Sequence, residues 1–178
     1  MEFVNGGKLQ SHLRKSRAEH YYGNLHSSSS HLSSRDLTSF AYQIARAMEY
    51  LANKEVNIFP VSILLSVYEC SHRRPTKTIF LQIIHRDLAA RNVLITDEGV
   101  CKVCDFGFAR DIMGNHIYER KSEGRLPIRW MAPESLYDNI FSSKTDVWSF
   151  GVVLWEIVTL GSTPYPGMSA GEVILILI

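Results

Sequence analysis

The sequence predicts an α+β fold in which helices supply most of the structure. Segment 37–52 has amphipathic helical spacing and segment 146–160 is a long apolar run, while two short β-rich segments, 93–96 and 100–104, lie between them. The length of 178 residues suits one globular unit. The net charge of +1 gives no strong attraction to nucleic acid or to a membrane surface, so nucleic acid is not expected as a partner.

Cysteine content and hydropathy bear on the compartment. The three cysteines, Cys70, Cys101 and Cys104, form no even framework, which favours a reducing, intracellular compartment. The spacing of Cys101 and Cys104 is typical of redox and zinc sites, but no second Cys or His pair accompanies it, so neither use is expected. The opening residues lack a signal peptide, and the apolar run 58–68 is shorter than the about 20 residues that cross a bilayer. As written, the chain is predicted to be soluble and cytoplasmic.

The first third of the chain predicts two helices separated by a polar loop. Residues 2–7 form a short extended piece that runs into a turn, and 8–18 have helical spacing. Residues 20–34 are polar and serine-rich and cannot bury enough apolar surface to become ordered, which predicts a mobile loop. A helix over 37–52 follows, with Ser34 or Asp36 as its N-cap. Its apolar residues recur on one face: Phe40, Ile44, Met48 and Leu51.

The remaining elements follow a segment, 57–82, that shows no sustained period. The β-rich segments 93–96 and 100–104 should pair as a hairpin across a turn at 97–99. Residues 105–134 show no clear period and predict a long loop, which is usually functional.

The last predicted element is a buried helix. Thr145 is the expected N-cap of a helix over 146–160, which Gly161 ends. Because this helix is apolar nearly all round, it is expected to be buried.

Two motifs carry chemistry. His85-Arg86-Asp87-Leu88-Ala89-Ala90-Arg91-Asn92 matches the catalytic loop of protein kinases at every fixed position, and Asp105-Phe106-Gly107 follows about a dozen residues later. Phosphoryl transfer needs positioned groups and charge neutralisation more than covalent help, which such acidic, amide and basic side chains supply.

These motifs, together with Met131-Ala132-Pro133-Glu134 and Asp146-Val147-Trp148-Ser149-Phe150-Gly151, resemble the protein kinase catalytic domain. Ala89-Ala90-Arg91 and the stretches 4–10, 117–124 and 134–141 resemble receptor tyrosine kinases, in particular those of insects. The resemblance covers nearly all of the chain except 57–82 and the last few residues. It implies a truncated protein kinase-like fold, mainly the helical C-terminal lobe.

The resemblance also implies catalytic roles. Asp87 would accept the proton of the substrate hydroxyl. Arg91 would stabilise the charge of the γ-phosphate and orient Asp87. Asn92 and Asp105 would hold Mg²⁺, which prefers hard oxygen ligands. Asp146 would hydrogen-bond the backbone of the catalytic loop; the alternative is that it only caps its helix.

ATP is the second cofactor that the resemblance implies. The backbone of Glu2 and Val4 would bind adenine as the hinge, and Leu94 would form the floor beneath it. Asp105 would hold the phosphates through Mg²⁺, and Phe106 would pack beneath the site. Protein tyrosines would be the substrates.

Further roles concern specificity and regulation. Pro127 would offer a flat apolar wall to a phenol ring. Tyr118 occupies the place of an autophosphorylated tyrosine, with Arg86 as its expected partner and Arg110 as a second candidate; the alternative is an ordinary loop tyrosine. The serine-rich segment corresponds to the kinase insert of the family. It could dock SH2-type adaptors or be a plain solvated loop, and its composition favours the solvated loop.

The expected organisation is one partial tyrosine kinase domain over 1–178. The chain has no glycine-rich phosphate loop and no strand lysine to grip the phosphates, so it is expected to begin inside the domain and to be inactive alone. The parent would be a plasma-membrane receptor with a cytoplasmic kinase domain; the alternative is a non-catalytic binding module. The predicted parts are the hinge (1–7), kinase insert (19–34), catalytic loop (83–92), activation segment (105–134) and buried helix (145–160).

Segment 56–82 is predicted to be an anomalous insertion. Removing it joins Glu55 to Ile83 and restores the sequence that usually precedes the catalytic loop in the family, directly before His85. A valine codon begins with GT and a glutamine codon can be CAG, so the two ends match the donor and acceptor of an intron. We interpret the segment as a retained in-frame intron; the alternative is a surface insertion, which loop-closure entropy tolerates cheaply.

Overall fold

Helices make up most of the regular structure in the computed structural model, which describes residues 4–22, 32–53, 55–56, 79–113, 118–119 and 126–177. The helices are α1 (Leu9–Tyr22), α2 (Ser34–Ala52), α3 (Pro133–Tyr137), α4 (Ser143–Val158) and α5 (Ala170–Ile176). The strands are β1 (Glu55–Val56), β2 (Ile79–Ile84), β3 (Val93–Ile95), β4 (Cys101–Val103), β5 (Arg110–Met113), β6 (Tyr118–Glu119) and β7 (Ile140–Phe141). They form small antiparallel sheets in the orders β1-β2-β5, β3-β4 and β6-β7. None of the described helices is long and apolar enough to cross a bilayer.

Helices α2 and α4 both begin three residues earlier than predicted. Ser33, not Ser34 or Asp36, caps α2: its hydroxyl accepts from the Asp36 N–H at 3.3 Å, and the Asp36 carboxylate accepts from the Ser33 N–H at 2.8 Å. Ser142, not Thr145, caps α4, and the Thr145 hydroxyl accepts from the Ser142 N–H at 3.1 Å. The predicted caps Asp36 and Thr145 are instead the third helical residues of reciprocal capping boxes, and Ser34 is the first residue of α2, so both helices start upstream of their predicted starts.

Helix α1 is longer than predicted. It continues to Tyr22, so residues 20–22, predicted as loop, are helical. Once a helix is nucleated, each further residue adds a hydrogen bond, so polar residues can continue it. The rest of the serine-rich segment, 23–31, lies outside the described residues.

The main core gathers around the segment that contains the catalytic motif. Leu88 of that segment belongs to one buried cluster with residues of α1, α2, β3 and α4. Each fully buried side chain of this size contributes about 1.5–3 kcal/mol relative to an exposed one. The buried members are Leu9, Leu13, Phe40, Ile44, Leu88, Val93, Ile95, Val153 and Ile157.

Helix α4 is buried on one face only, so the prediction of burial all round is wrong. Val153 and Ile157 are buried, whereas 64% of Val147 and 68% of Val158 are exposed. Composition alone does not say which face of an apolar helix meets the core. The helix ends at Val158, and Gly161 follows with φ of +77°.

The predicted hairpin is confirmed. Val93 pairs with Val103, Gly99 has φ of +80°, and the Thr96 N–H donates to the Val100 carbonyl at 2.9 Å. The turn predicted near the start of the chain is also present, at residues 5–6. It brings the chain across β3, where the Ile95 N–H donates to the Gly7 carbonyl at 2.9 Å.

Segment 105–134 is not one long loop as predicted. It contains β5, β6, a 3₁₀ turn over Ile128–Trp130 and the start of α3. Strand β5 pairs with β2, with Gln82 opposite Ile112, and β6 pairs with β7. Partners so distant in sequence leave no local pattern, which is why periodicity missed these strands. Residues 114–117 and 120–125 lie outside the described part.

The predicted insertion is described only at its ends. Val56 in β1 pairs with Ile79 in β2, and residues 79–82 continue β2 toward the catalytic motif. Residues 57–78 lie outside the described part, so the structure does not test the insertion.

Candidate active site

Asp146 anchors the catalytic motif from α4, as predicted. Its two carboxylate oxygens accept the backbone N–H groups of His85 at 2.8 Å and Arg86 at 3.0 Å. Burial raises the pKa of Asp146, while these hydrogen bonds oppose the rise. The carboxylate thus satisfies two buried donors where β2 ends, and this confirms the loop-binding interpretation over a plain helix cap.

His85 ties the same loop to the residue before Asp105. Its Nε2 lies 3.0 Å from the Cys104 carbonyl, and its Nδ1 lies 3.3 Å from the Asp87 N–H. A neutral imidazole protonated on Nε2 satisfies both hydrogen bonds. Arg86 adopts φ of +69°, a left-handed conformation that the two hydrogen bonds to Asp146 stabilise.

Asp87 is nearly buried, and its carboxylate has a donor on each oxygen. Oδ1 pairs with the Arg91 guanidinium, and Oδ2 accepts from Asn92 Nδ2 at 2.8 Å. Asn92 Nδ2 also donates to the Asp87 carbonyl at 2.7 Å. The Arg91 guanidinium lies over the Trp130 ring, 4.1 Å from its centroid. Two donors therefore hold the carboxylate in one orientation.

The two predicted magnesium ligands lie on neighbouring chain segments. The Cys104 N–H donates to the Asn92 carbonyl at 2.9 Å, which places Asp105 one residue beyond that pairing. Asn92 uses its amide N–H groups on Asp87, so its Oδ1 is the atom left to ligate. The Asp105 carboxylate is exposed and accepts only a long 3.4 Å bond, from the Gly107 N–H, among the described residues. An amide oxygen and an exposed carboxylate fit Mg²⁺, which keeps several waters and phosphate oxygens as further ligands.

The predicted adenine site is described in part. Val4 and Leu94 are both half-buried, and Lys8 forms a β-bridge with Leu94, so the hinge segment lies alongside β3. Glu2 lies outside the described residues.

Phe106 is more exposed than a residue packed beneath the site. It is 46% exposed, although its ring centroid lies 5.1 Å from that of His85. Asp105 itself has φ of +63°, where aspartate is tolerated better than most residues. This segment therefore turns outward directly after β4.

The predicted substrate and regulatory residues lie around the same loop. Pro127 is half-buried and its carbonyl accepts the Trp130 N–H at 2.9 Å. The Arg86 guanidinium lies 4.3 Å from the Phe141 ring centroid, and the backbone of Tyr118 pairs with that of Phe141. Tyr118 is thus backbone-paired with the residue that Arg86 contacts. The exposed Arg110 donates to the Ala109 carbonyl at 2.7 Å.

Sequence reasoning missed Glu156. This residue of α4 is 0% exposed, and its carboxylate accepts from the Ala90 N–H, from Trp130 Nε1 and from Gln10 Nε2, at 2.9, 2.9 and 3.4 Å. Burial raises its pKa. A single carboxylate inside the apolar stretch of α4 is the signal that could have identified it.

The two described cysteines are poor nucleophiles. Burial raises the pKa of the Cys101 thiol to about 12 and also raises that of Cys104, which disfavours the reactive thiolate. Within the described ranges, no group of three or more His, Cys, Asp or Glu side chains could hold a metal ion.

Comparison with known proteins identifies the family. The sequence profile of the protein tyrosine and serine/threonine kinases matches residues 1–57 and 80–177. The tyrosine kinase receptor Cad96Ca of Drosophila melanogaster, also called stitcher, is 58% identical over 173 residues, 97% of this chain and 19% of that protein. Fibroblast growth factor receptor 1 of Pleurodeles waltl is 44% identical over 180 residues, 99% of this chain and 19% of that protein. The fibroblast growth factor receptor of Strongylocentrotus purpuratus is 44% identical over 170 residues, 94% of this chain and 15% of that protein.

The chain spans 15–19% of the length of these curated relatives. The profile match covers most of this chain and includes both the loop around Asp87 and the segment from Asp105. The chain belongs to the protein tyrosine and serine/threonine kinase family, as a receptor tyrosine kinase catalytic domain.

Proposed function

We propose that the full-length protein containing these residues transfers the γ-phosphate of ATP to tyrosine side chains of proteins, with Mg²⁺ as its metal cofactor. The observation that carries this proposal is the Asp87 carboxylate, which Arg91 and Asn92 orient and whose loop Asp146 anchors. Positioning of this kind supplies most of the catalysis in phosphoryl transfer.

Each group then has a role that its position supports. Asp87 accepts the proton of the attacking hydroxyl, and Arg91 bears positive charge beside the transferred phosphoryl group. Asn92 and Asp105 hold Mg²⁺, which neutralises phosphate charge when bound. The backbone of Glu2 and Val4 binds adenine above Leu94 as the floor.

Tyrosine specificity rests on residues 124–130, the substrate platform, which resemble the substrate-binding stretch of tyrosine kinases. Pro127 lies at the start of the 3₁₀ turn that ends with Trp130, and Trp130 supports the Arg91 guanidinium. The apolar wall of Pro127 accommodates a phenol ring, whose length carries its hydroxyl to Asp87. A serine hydroxyl on the same backbone path would not reach the carboxylate.

The test is a kinase assay of the full-length protein with ATP, Mg²⁺ and matched tyrosine and serine peptides. We expect faster transfer to tyrosine, and a loss of about 10²–10⁴-fold on Asp87→Asn, the range that a general base contributes. Asp97→Asn, in the exposed β3-β4 turn, is the matched control. Equal rates on the two peptides would refute the specificity, and full activity of the Asp87 variant would refute the mechanism.

An alternative applies to residues 1–178 on their own. They contain no glycine-rich phosphate loop, so we expect the isolated polypeptide to be inactive and to serve at most as a non-catalytic binding module. Incubation with ATP, Mg²⁺ and a poly-Glu/Tyr substrate tests this. Phosphate transfer that Asp87→Asn abolishes would contradict it.

Location and regulation follow from the same proposal. The relatives are named receptors, which supports a membrane-anchored parent at the plasma membrane with this domain in the cytoplasm. Autophosphorylated Tyr118 would pair with Arg86, or with Arg110, and order segment 105–134. Phosphotyrosines of the full-length protein would recruit SH2-type adaptors.

We further propose that segment 56–82 is a retained intron. The family profile resumes at Phe80 after stopping at residue 57, which supports a foreign segment at this point. Sequencing of mature transcripts across the codons for Val56 and Gln82 tests the proposal. Transcripts that mostly contain this segment would contradict it and favour a surface insertion.

A further inference from the structure

The most enclosed carboxylate whose role the proposed mechanism leaves open belongs to Glu156. It lies in the last turn of α4, 0% exposed, and receives hydrogen bonds from three separate parts of the chain. Ala90 belongs to the catalytic loop, Trp130 to the substrate platform and Gln10 to α1. One side chain thus joins the two segments that must meet around a substrate.

Glu156 accepts hydrogen bonds from two residues that position Arg91, namely Ala90 and Trp130. One Glu156 oxygen, Oε2, accepts from the Ala90 N–H and from Trp130 Nε1, both at 2.9 Å. Ala90 directly precedes Arg91, and the Trp130 ring lies 4.1 Å from the Arg91 guanidinium. Glu156 therefore holds the backbone from which Arg91 extends and also the ring on which its guanidinium rests.

The position of Arg91 in turn affects Asp87, the proposed catalytic base, because the Arg91 guanidinium pairs with the Asp87 carboxylate. A small rotation of the Trp130 ring or of the Ala90 peptide would move the guanidinium relative to the Asp87 carboxylate. Misplacement on the scale of 1 Å reduces catalysis by about 10²-fold even when no reacting group is removed.

Burial of a carboxylate costs free energy, so a side chain that only fills space in the core does not need to be a carboxylate. An apolar side chain of similar volume often serves a core equally well or better. The charge matters here because it makes two strong acceptor sites at one point and attracts the nearby Arg91 guanidinium.

We propose that Glu156 is a positioning residue, which sets the placement of Arg91 against Asp87 by holding Ala90 and Trp130 together. The inference rests on the proposed kinase function, and it adds a link between the substrate platform and the catalytic base.

A double-mutant cycle in the full-length protein tests the link. We expect Glu156→Gln to lower kcat by about 10²-fold, with little change in KM for ATP. In an Arg91→Ala background the same substitution should change kcat by less than about twofold, because its effect passes through Arg91. Equal fold losses in the two backgrounds would overturn the proposal.

The control is Glu172→Gln, since glutamine also serves at the third position of the exposed capping box of α5. Its kcat should match that of the native protein. Where Glu156→Gln does not fold, Glu156→Asp replaces it; failure of both to fold, judged by circular dichroism, would overturn the proposal in favour of a structural role.

A labelling experiment separates this inference from the proposed function. Phenylglyoxal modifies accessible arginines, and peptide mapping by mass spectrometry reports the rate at Arg91. We expect faster modification of Arg91 in Glu156→Gln and an unchanged rate in Glu172→Gln. If the native protein shows no kinase activity, the proposed function fails, and an unchanged Arg91 rate in Glu156→Gln would independently sink the positioning role.

Discussion

The catalytic loop and the segment that begins at Asp105 are both recognisable as sequence motifs, yet they differ greatly in burial and in hydrogen bonding. The loop is buried, and two carboxylates of α4, Asp146 and Glu156, bind its backbone. From Asp105 to Phe108 the chain is exposed, and among the described residues the Asp105 side chain accepts only the long hydrogen bond from the Gly107 N–H. Both segments contribute a proposed catalytic side chain, but only one is enclosed by the core.

The two segments differ in whether the protein itself fixes the orientation of the proposed catalytic side chain. The Asp87 carboxylate is oriented by Arg91 and Asn92 without any ligand, so its geometry belongs to the fold. Within the part of the chain that the structure describes, the Asp105 carboxylate has no comparable hydrogen-bond donors, which leaves it available for a cation. Substitutions in the loop should therefore affect stability as well as activity, whereas substitutions at Asp105 should affect activity alone.

In the segment that begins at Asp105, the largest effect should come from Asp105→Asn. Asparagine tolerates the left-handed backbone of this position but lacks the charge that would hold Mg²⁺. We expect kinase activity of the full-length protein to fall by about 10³-fold, because a bound metal contributes several kcal/mol to charge stabilisation. The free energy of unfolding should change by less than about 0.5 kcal/mol. Rates at several Mg²⁺ concentrations and urea unfolding measure the two effects, with Asp97→Asn as the exposed control; a large loss of stability would break the contrast.

Asp146→Ala should show the opposite balance in the loop. It leaves the buried N–H groups of His85 and Arg86 without their acceptor, and each such donor costs about 1–3 kcal/mol. Relief of the carboxylate's burial offsets part of this cost, so we expect the free energy of unfolding to fall by about 2–4 kcal/mol. Denaturant unfolding measures it. A change as small as that of Asp105→Asn would show that the loop does not depend on its anchor.

A smaller effect should follow from Tyr118→Phe. Its phosphate would order segment 105–134 through Arg86 without taking part in the chemistry. We expect preincubation with ATP to raise the rate of the native protein by about 5–150-fold, the usual scale of coupling between sites, and to leave the variant near its basal rate. Equal activation of the two proteins, followed by phosphopeptide mapping, would exclude Tyr118 as the switch.

The sequence could predict the residues of the motifs but, apart from the anchor Asp146, not the contacts that hold them. Asp87, Asn92 and Asp105 are recognisable because phosphoryl transfer demands those side chains at a fixed spacing. Glu156 was missed because its donors, Ala90, Trp130 and Gln10, lie far from it in sequence and meet only in the fold. The buried anchor Asp146 was predicted because the family resemblance placed it.

The local sequence pattern likewise predicted where the helices lie, but it did not predict where they end or which of their faces are exposed. The spacing of Phe40 and Ile44 predicted α2, whereas its cap at Ser33 depends on a reciprocal bond with Asp36. Strands β5 and β6 were read as loop because their partners, β2 and β7, are distant in sequence. Exposure of Val147 and Val158 could not be read from an apolar run, since burial depends on what packs against each face.

The smallest expected effect is the pH dependence that the anchor imposes on stability. Burial raises the pKa of Asp146 above its ordinary value of 3.8, so the folded state binds this proton more tightly than the unfolded state. The resulting contribution is fully present below pH 3.8 and is lost as the pH rises through the higher pKa of the folded protein. The free energy of unfolding of the native protein, minus that of Asp146→Asn, should therefore decline with rising pH by at most about 1.4 kcal/mol per pH unit. Subtraction removes the exposed carboxyls of Asp36, Glu98 and Glu172, whose lowered pKa values act in the opposite sense in both proteins. Urea unfolding from pH 3 upward tests this, and a difference that increases with pH would show that His85 and Arg86 outweigh burial in stabilising the charged carboxylate.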